Sequence, residues 1–159
     1  MNARELLTEP IGFLAPARAL EGLTPELADQ RVAGAHSIAE IVAHLTFWQN
    51  WFIRRAAGVA EPMARRAREG WPAVTPGSWP ALQQQFVDGL SRLTAWADAT
   101  EDALDTPLAP AIEFPALAHY TKRDVLVHVA THNAHHLGQV ILLRQLLGAW
   151  PPPAGSWTW

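Results

Sequence analysis

The sequence predicts an all-α protein, a four-helix bundle in which extended loop segments join the helices. Four stretches carry apolar residues at three- and four-residue steps, which is the repeat of one face of a helix. Segments rich in proline and glycine separate these stretches, and 49% of the 159 residues are hydrophobic, which is sufficient for a sizeable core. We therefore expect residues 1–159 to form a single domain.

The first helical stretch runs over residues 2–20. Pro10 and Gly12 interrupt it, so we expect a kink or two separate pieces. After this stretch, Thr24 and Pro25 follow each other as an N-cap and a first helical residue do, which predicts a further short turn of helix.

The second helix is predicted over residues 37–57, ending near Gly58. Ser37 followed by Glu40 matches a capping box, in which each side chain accepts a bond from the other residue's backbone N–H. His44 lies at the edge of the apolar arc and faces inward. The arc itself consists of Ile38, Ile41, Leu45, Trp48 and Phe52.

The middle of the chain alternates between loops and one helix. Residues 59–77 are rich in Pro, Gly and Arg and are expected to form a loop, with a short helical piece over 63–69. Ser78 is predicted to cap the third helix, which ends near Thr100. Residues 105–120 hold three prolines and are expected to extend over one end of the bundle. The apolar face of the third helix carries Leu82, Phe86, Leu90, Leu93 and Ala97.

The fourth helix is predicted over residues 121–150, where Thr121 and Asp124 form a helix-start signal. After it, the sequence PPPAGSWTW cannot continue a helix. We expect this tail to fold back across the bundle or to join a partner.

Four histidines lie close together on the fourth helix. At about 100° per residue, His132 and His136 fall inside the apolar arc, whereas His128 and His135 fall at its rim. The arc is formed by Val125, Val129, Val140, Leu143 and Leu147.

His132 and His136 are the first candidates for chemistry. They lie one turn apart, so their Cβ atoms are about 5–6 Å apart and both imidazoles can bind one cation. Two polar rings inside an apolar face are costly unless they have partners, and the alternative is that they only form hydrogen bonds. His44 is the third candidate, and its alternative is a core-edge histidine bonded to a backbone carbonyl. Together the three histidines predict a metal site between helices two and four, with His44 level with the midpoint of the other two.

Three imidazole ligands leave coordination positions open, which distinguishes a catalytic metal site from a structural one. A divalent metal is expected, Zn or Ni first, with Fe, Mn and Cu as alternatives. Such a metal lowers the pKa of a bound water or thiol. The residues expected to line the mouth of the site are Trp48, Trp51 and Gln139. The groups within reach to orient the ligand rings are Glu40, Asn133, Thr131 and Gln139, although Glu40 is also the acid of the capping box.

The helix SIAEIVAHLTFWQ and the helix HVATHNAHHLGQVILLRQ together resemble the DinB-like family, the DNA-damage-inducible, YfiT-type metalloenzymes. The resemblance spans nearly the whole chain, and it implies a four-helix bundle with a divalent metal on His44, His132 and His136. The family commonly has Arg-Gly-Gln after the last ligand. This chain has Leu137 in place of the arginine, which implies the loss of a charge near the exit of the site.

The resemblance also implies a reaction. Members of the wider family transfer low-molecular-weight thiols, such as bacillithiol, mycothiol or glutathione, to electrophiles or use them in isomerisation. We therefore expect a metal-dependent thiol S-transferase in detoxification or the stress response, with a small-molecule thiol and an electrophile as partners. The alternatives are a metal-dependent hydrolase and a non-catalytic metal- or ligand-binding stress protein. Family members often dimerise, so a homodimer is a further expectation, and no catalytic side chain is assigned.

Charge and composition argue against nucleic-acid-binding and membrane proteins. A net charge of −3 argues against a nucleic-acid surface. No apolar run has the length of a membrane span and no signal-peptide layout is present, so we expect no membrane partner and a cytoplasmic location. Since there is no cysteine, a reacting thiol must arrive as a substrate.

Eight tryptophans are present, and most are expected to fill the core or an interface. Trp48 is the exception, because it lies one turn from His44 on the same face. Trp157 and Trp159 are expected to anchor the tail or to make a dimer contact.

Overall fold

The computed structural model describes residues 3–9 and 14–156, and in these ranges the chain forms seven α-helices and two short 3₁₀ turns. The all-α prediction is therefore confirmed. The helices are α1 (Ala3–Thr8), α2 (Pro16–Ala19), α3 (Pro25–Asp29), α4 (Ile38–Ala56), α5 (Trp79–Trp96), α6 (Glu101–Asp105) and α7 (Lys122–Leu146). The 3₁₀ turns span Ala67–Gly70 and Pro115–Leu117.

Four of these helices surround a shared hydrophobic core. Helix α4 packs against α5 and α7, and α1 packs against the same two helices. Fully buried apolar side chains each contribute about 1.5–3 kcal/mol relative to exposure in water, so this core is the main source of stability. Its largest members include Trp51, Phe52, Trp79, Phe86 and Leu126. No helix among the described residues is both long and apolar enough to cross a membrane.

Capping boxes define where α4 and α7 begin, as predicted. The Ser37 hydroxyl accepts from the Glu40 backbone N–H at 3.2 Å, and the Glu40 carboxylate accepts from the Ser37 N–H at 2.8 Å. Thr121 and Asp124 form the same pair at the start of α7. Helix α7 ends at Leu146, earlier than predicted, and Gly148 follows it with a positive φ of 68°. Glycine adopts this left-handed conformation without steric cost, and it is common just after a helix.

The first predicted helix forms as two pieces, α1 and α2. The predicted interruption at Pro10 and Gly12 lies outside the described residues. Thr24 caps α3 as predicted, since its hydroxyl accepts from the Leu27 N–H at 3.4 Å.

The helical piece predicted over 63–69 is displaced along the chain. The structure has a 3₁₀ turn at Ala67–Gly70 instead. The Glu69 carboxylate accepts from the N–H groups of Arg65 and Arg66 at 2.8 and 3.3 Å, which holds the preceding residues outside the helix.

The ends of the third predicted helix also differ. Ser78 precedes α5, but its side chain makes no capping hydrogen bond. The helix ends at Trp96 rather than near Thr100. Thr100 instead caps the short helix α6 by accepting from the Ala103 N–H at 3.4 Å, and the sequence analysis did not predict α6.

Residues 105–120 are largely non-helical, as predicted, and a buried arginine holds them to the end of α4. Arg55 is 4% exposed. Its guanidinium donates to the carbonyls of Val59, Pro110 and Ala111 at 3.0, 2.7 and 2.8 Å. A buried cation requires such partners, so Arg55 ties the loop to the bundle.

The described part of the C-terminal tail folds back on the N-terminal helices. Arg144, which is 1% exposed, donates to the carbonyls of Ala149 and Ala19 at 3.0 and 2.6 Å. Arg18 donates to the Ala154 carbonyl at 3.2 Å. Trp157 and Trp159 lie outside the described residues, so their predicted contacts stay predictions.

Candidate metal centre

Helices α4 and α7 bring the three predicted histidines together. They run in opposite directions, because His44 contacts His132 and His136 whereas Phe52, two turns further along α4, contacts His128. The ring centroid of His44 lies 5.0 Å from that of His132 and 4.8 Å from that of His136. His44 is thus level with the midpoint of the α7 pair, as the sequence predicts.

The ring nitrogens converge as well. One nitrogen from each of the three rings lies within 4.8 Å of the other two. The Nε2 atoms of His44 and His132 are 3.1 Å apart. Two nitrogens that each lie about 2.0–2.1 Å from one metal ion are about 3 Å apart when their bonds to it are near right angles. The three side chains can therefore hold a metal ion.

A backbone carbonyl sets the tautomer of His44. The Nδ1 atom of His44 lies 2.6 Å from the carbonyl oxygen of Gly70. A carbonyl only accepts hydrogen bonds, so Nδ1 carries the proton and donates. The Nε2 of a neutral His44 then has a free lone pair directed at His132. The hydrogen bond to a backbone carbonyl, which was the alternative to metal binding for His44, is therefore present. It uses Nδ1 and leaves Nε2 free to bind a metal.

Gln139 sets the tautomer of His136, as the Gly70 carbonyl does for His44. The Nδ1 of His136 donates to Oε1 of Gln139 at 2.8 Å, and the Gln139 amide nitrogen lies 3.3 Å from Nε2 of His135. The contact to His135 fits this orientation of the amide, because the NH₂ group donates to a ring nitrogen. The Nε2 of His136 is therefore also unprotonated in the neutral ring. Histidines that bind metals commonly donate their second N–H in this way.

All three imidazoles favour the neutral form. Burial, together with the neighbouring His136 and His44, lowers the pKa of His132 to about 3. Burial also lowers the pKa of His44 and of His136, although the hydrogen bonds to Gly70 and Gln139 oppose the shift. Neutral imidazole is the form that binds a metal ion.

Trp71 forms an aromatic wall that the sequence analysis missed. Its indole stacks on the His44 ring at a centroid distance of 4.0 Å and an interplanar angle of 12°. Its other face stacks on His36 at 3.9 Å and 11°, and its edge approaches His136 at 5.9 Å. Trp71 lies in a loop without hydrophobic periodicity, so no pattern in the sequence relates it to the histidines.

The two tryptophans predicted at the mouth have different surroundings. Trp48 is partly buried and meets His44 edge-on, at a centroid distance of 6.4 Å. Trp51 is 1% exposed, packs edge-on against Trp48 and donates from its indole N–H to the Pro62 carbonyl. Trp51 therefore supports Trp48 from the core, and contact between these two residues and a substrate stays a prediction.

A tyrosine and a further histidine lie beside His132. The Tyr120 hydroxyl is 2.9 Å from Nδ1 of His128, and the His128 ring is 6.3 Å from that of His132. Burial raises the pKa of Tyr120 and lowers the pKa of His128, so both are neutral near pH 7. The sequence analysis placed His128 at the rim of the arc but did not connect it to Tyr120.

Of the four residues predicted to orient the ligand rings, Gln139 is hydrogen-bonded to one. Glu40 is instead bonded to Ser37 and Arg31, and the Thr131 hydroxyl donates to the Val127 carbonyl of its own helix. Asn133 is 2% exposed, and its amide has no hydrogen-bond partner among the described residues. The predictions for Glu40 and Thr131 are corrected, because capping and back-bonding to the helix engage their side chains.

Comparison with known proteins identifies the family. A family model described as the DinB superfamily matches residues 17–140. The chain belongs to the DinB superfamily. The match includes α4 and all three histidines, and it agrees with the helical fold. No curated protein and no solved structure gives a match to this DinB chain.

Leu137 occupies the position at which the resemblance implies an arginine in other DinB proteins. It is 2% exposed and belongs to the hydrophobic core. Its side chain lies in the core of the bundle, and the expected loss of a charge near the exit of the site stays a prediction.

Proposed function

We propose that this DinB protein binds a divalent metal ion through the Nε2 atoms of His44, His132 and His136 and uses it to transfer a low-molecular-weight thiol to an electrophile. The observation that carries the proposal is the arrangement of the ring nitrogens. Two of the three imidazoles donate their Nδ1 protons to oxygen acceptors, so their Nε2 lone pairs are free beside His132.

The donor set suits the expected metals. Neutral imidazoles are good ligands for Zn and Ni, which we expect first, and also for Fe and Cu. His44, His132 and His136 would hold the ion, and three protein ligands would leave room for a thiol or water whose pKa the ion would lower. Since the chain has no cysteine, the sulfur nucleophile of the proposed reaction comes from a bound small molecule.

The protein's own residues orient the ligand rings and keep water from one side of the site. Gly70 and Gln139 hold His44 and His136 in the tautomer that exposes Nε2. Trp71 covers the face of His44, which keeps solvent from that side. The Tyr120 hydroxyl is hydrogen-bonded to Nδ1 of His128, whose ring lies 6.3 Å from that of His132.

The first test is elemental analysis of the purified protein beside the variant that carries His132→Ala and His136→Ala. We expect a divalent metal near one equivalent in the parent and little in the variant. Equal metal content in the two proteins would show that the proposed ligands are wrong.

The second test separates the possible reactions. Thiol consumption with a model electrophile, monochlorobimane or chlorodinitrobenzene, should require the metal and the three histidines. Turnover without added thiol indicates a hydrolase instead. Stoichiometric metal with neither activity, across bacillithiol, mycothiol and glutathione, indicates a binding protein and refutes the transferase proposal.

A further inference from the structure

We infer that Trp71 is a positioning residue which, together with Gly70 and His36, clamps the His44 imidazole in its metal-binding orientation. The inference rests on the proposed metal site and adds residues outside α4 and α7 to it. Gly70 and Trp71 both contact the His44 ring, and His36 holds Trp71 from its other side.

The first contact sets the rotation of the His44 ring. The Gly70 carbonyl accepts from His44 Nδ1 at 2.6 Å, which holds the ring plane and the tautomer. Position 70 has room only for a hydrogen atom. A Cβ built on Gly70 would lie 2.9 Å from Nε1 of Trp48, so a larger residue would displace the carbonyl or the indole.

The second contact immobilises the face of the same ring. The indole of Trp71, the next residue, is stacked on His44 with an interplanar angle of 12°. Two consecutive residues, Gly70 at the end of the 3₁₀ turn and Trp71 after it, therefore fix one imidazole, the first through its edge and the second through its face. A helix alone leaves the χ1 and χ2 angles of a histidine free to change, whereas this pair restricts both.

The third contact holds Trp71 from its outer side. His36 stacks on the opposite face of the indole at 3.9 Å, and its Nδ1 lies 3.6 Å from a carboxylate oxygen of Glu40. Glu40 belongs to the capping box of α4, the helix that carries His44. The indole thus lies between a residue that precedes α4 and a residue within α4, and the clamp is attached to the same helix at both sides.

The expected consequence is a loss of metal affinity when the clamp is removed. Residues that orient metal ligands typically contribute about 10–100-fold to affinity. Trp71→Leu removes both stacked faces, so we expect Zn²⁺ binding to weaken by about 10–100-fold. Trp71→Phe keeps a flat ring and should restore most of the affinity, whereas His36→Ala, which removes only the outer contact, should weaken binding by a smaller factor in the same direction.

Trp96→Leu is the matched control. Trp96 is another partly buried tryptophan that packs on the core, but it lies at the end of α5 beside Ile53 and Lys122. The Zn²⁺ dissociation constant is measured by competition with a chromophoric chelator, and the visible absorption of the Co²⁺ form reports ligand geometry. Thermal unfolding of each metal-free variant shows how much stability it has lost.

Two results would overturn the inference. One is a Trp71→Leu protein that binds Zn²⁺ as tightly as Trp96→Leu, with the Co²⁺ spectrum of the parent. The other is a loss of affinity that Trp96→Leu reproduces at equal loss of thermal stability, which would make Trp71 a general packing residue. If Trp71→Leu does not fold, parental affinity in His36→Ala overturns the inference, because Trp71→Phe is expected to bind nearly as tightly as the parent.

A metal-free measurement separates this inference from the proposed function. The ¹⁵N chemical shifts of the His44 ring report its tautomer without any ion. If the parent binds no Zn²⁺, the proposed function fails. The clamp is still supported if Nδ1 carries the proton in the parent and the preference is lost in Trp71→Leu, and it is refuted if the two proteins give the same shifts.

Discussion

His44 on α4 and His132 on α7 are 88 positions apart in the chain, and their Nε2 atoms lie 3.1 Å apart. Two bare lone pairs at this distance repel each other, so the contact requires a shared proton or a shared cation. The Gly70 carbonyl occupies the Nδ1 proton of His44, which leaves Nε2 as an acceptor. A metal ion would therefore act most directly on the contact between these two residues.

Gln139 is expected to contribute to metal affinity without binding the metal. Gln139→Ala removes the acceptor for the His136 Nδ1 proton, so Zn²⁺ affinity should fall by about 10-fold or more. Gln139→Glu keeps an oxygen acceptor and should retain most of the affinity. The measurement is chelator competition, with Gln145→Ala as the control because Gln145 is exposed on the same helix. Equal affinities in the Gln139→Ala and Gln145→Ala proteins would contradict the assigned role.

Gly70 is expected to tolerate no side chain. Gly70→Ala places a Cβ 2.9 Å from the Trp48 indole nitrogen, and overpacking of this kind costs about 1–3 kcal/mol of unfolding free energy. The control is Gly138→Ala on α7, where a Cβ meets nothing within 4 Å. Replacing a helical glycine by alanine should stabilise the protein there by about 0.5–1 kcal/mol. Urea unfolding of the parent and of each variant measures both changes in unfolding free energy.

The contact with Trp48 can be tested separately. The smaller ring of Trp48→Phe removes the clashing nitrogen and should recover much of the stability lost in Gly70→Ala. A Gly70→Ala protein as stable as the parent would show that the Trp48 indole does not lie this close to the Gly70 backbone.

The metal-free protein is expected to lose stability as the pH falls below about 6.5, the ordinary pKa of histidine. Burial and the neighbouring histidines lower the pKa of His132 to about 3, and burial also lowers the pKa values of His44, His136 and His128. Between the folded and unfolded pKa values the unfolded chain binds more protons, so stability is full above the unfolded pKa and is lost below it.

Urea unfolding after chelation, over a series from about pH 7.5 to about pH 4.5, measures this loss. The variant with His132→Ala and His136→Ala should show a shallower dependence because two of the four shifted groups are absent. Parallel curves for parent and variant would argue that the two histidines are not buried in the neutral form.

Chelation is expected to lower the melting temperature of the parent. An ion that binds only the folded state at 100 times its dissociation constant adds about 2.7 kcal/mol of stability. For a domain of this size that corresponds to roughly 5–10 °C. Differential scanning calorimetry with and without chelator measures the shift, and the shift should be much smaller in the double histidine variant. An unchanged melt for the metal-loaded parent would count against occupancy of the site.

Much of the helical architecture could be predicted because its causes are local. Capping pairs three residues apart set the beginnings of α4 and α7, and apolar repeats of three and four residues define their buried faces. The short helix α6 was missed, because a segment of 5 residues carries too little periodicity to detect. Ser78 was wrongly expected to cap α5, since its side chain makes no capping hydrogen bond.

The placement of side chains around the candidate site could be predicted only in part. The spacing of His132 and His136 within one helix is enough to place both rings on one face, and the inward direction of His44 follows from its apolar neighbours. The partners of these rings could not be predicted in the same way. Glu40 and Thr131 were within reach along the chain, yet capping and bonds within a helix engage them.

The sequence by itself determined the helical class, the main helix starts and the three histidines on inward faces, since each depends on residues within two turns of one another. Tertiary structure alone decided that Gly70 and Gln139 fix the tautomers, and that the indole of Trp71 lies between two imidazoles. The physical reason is that a loop has no repeating geometry. Its position depends on hydrogen bonds and ring contacts with distant residues, and these exist only after α4 and α7 have packed.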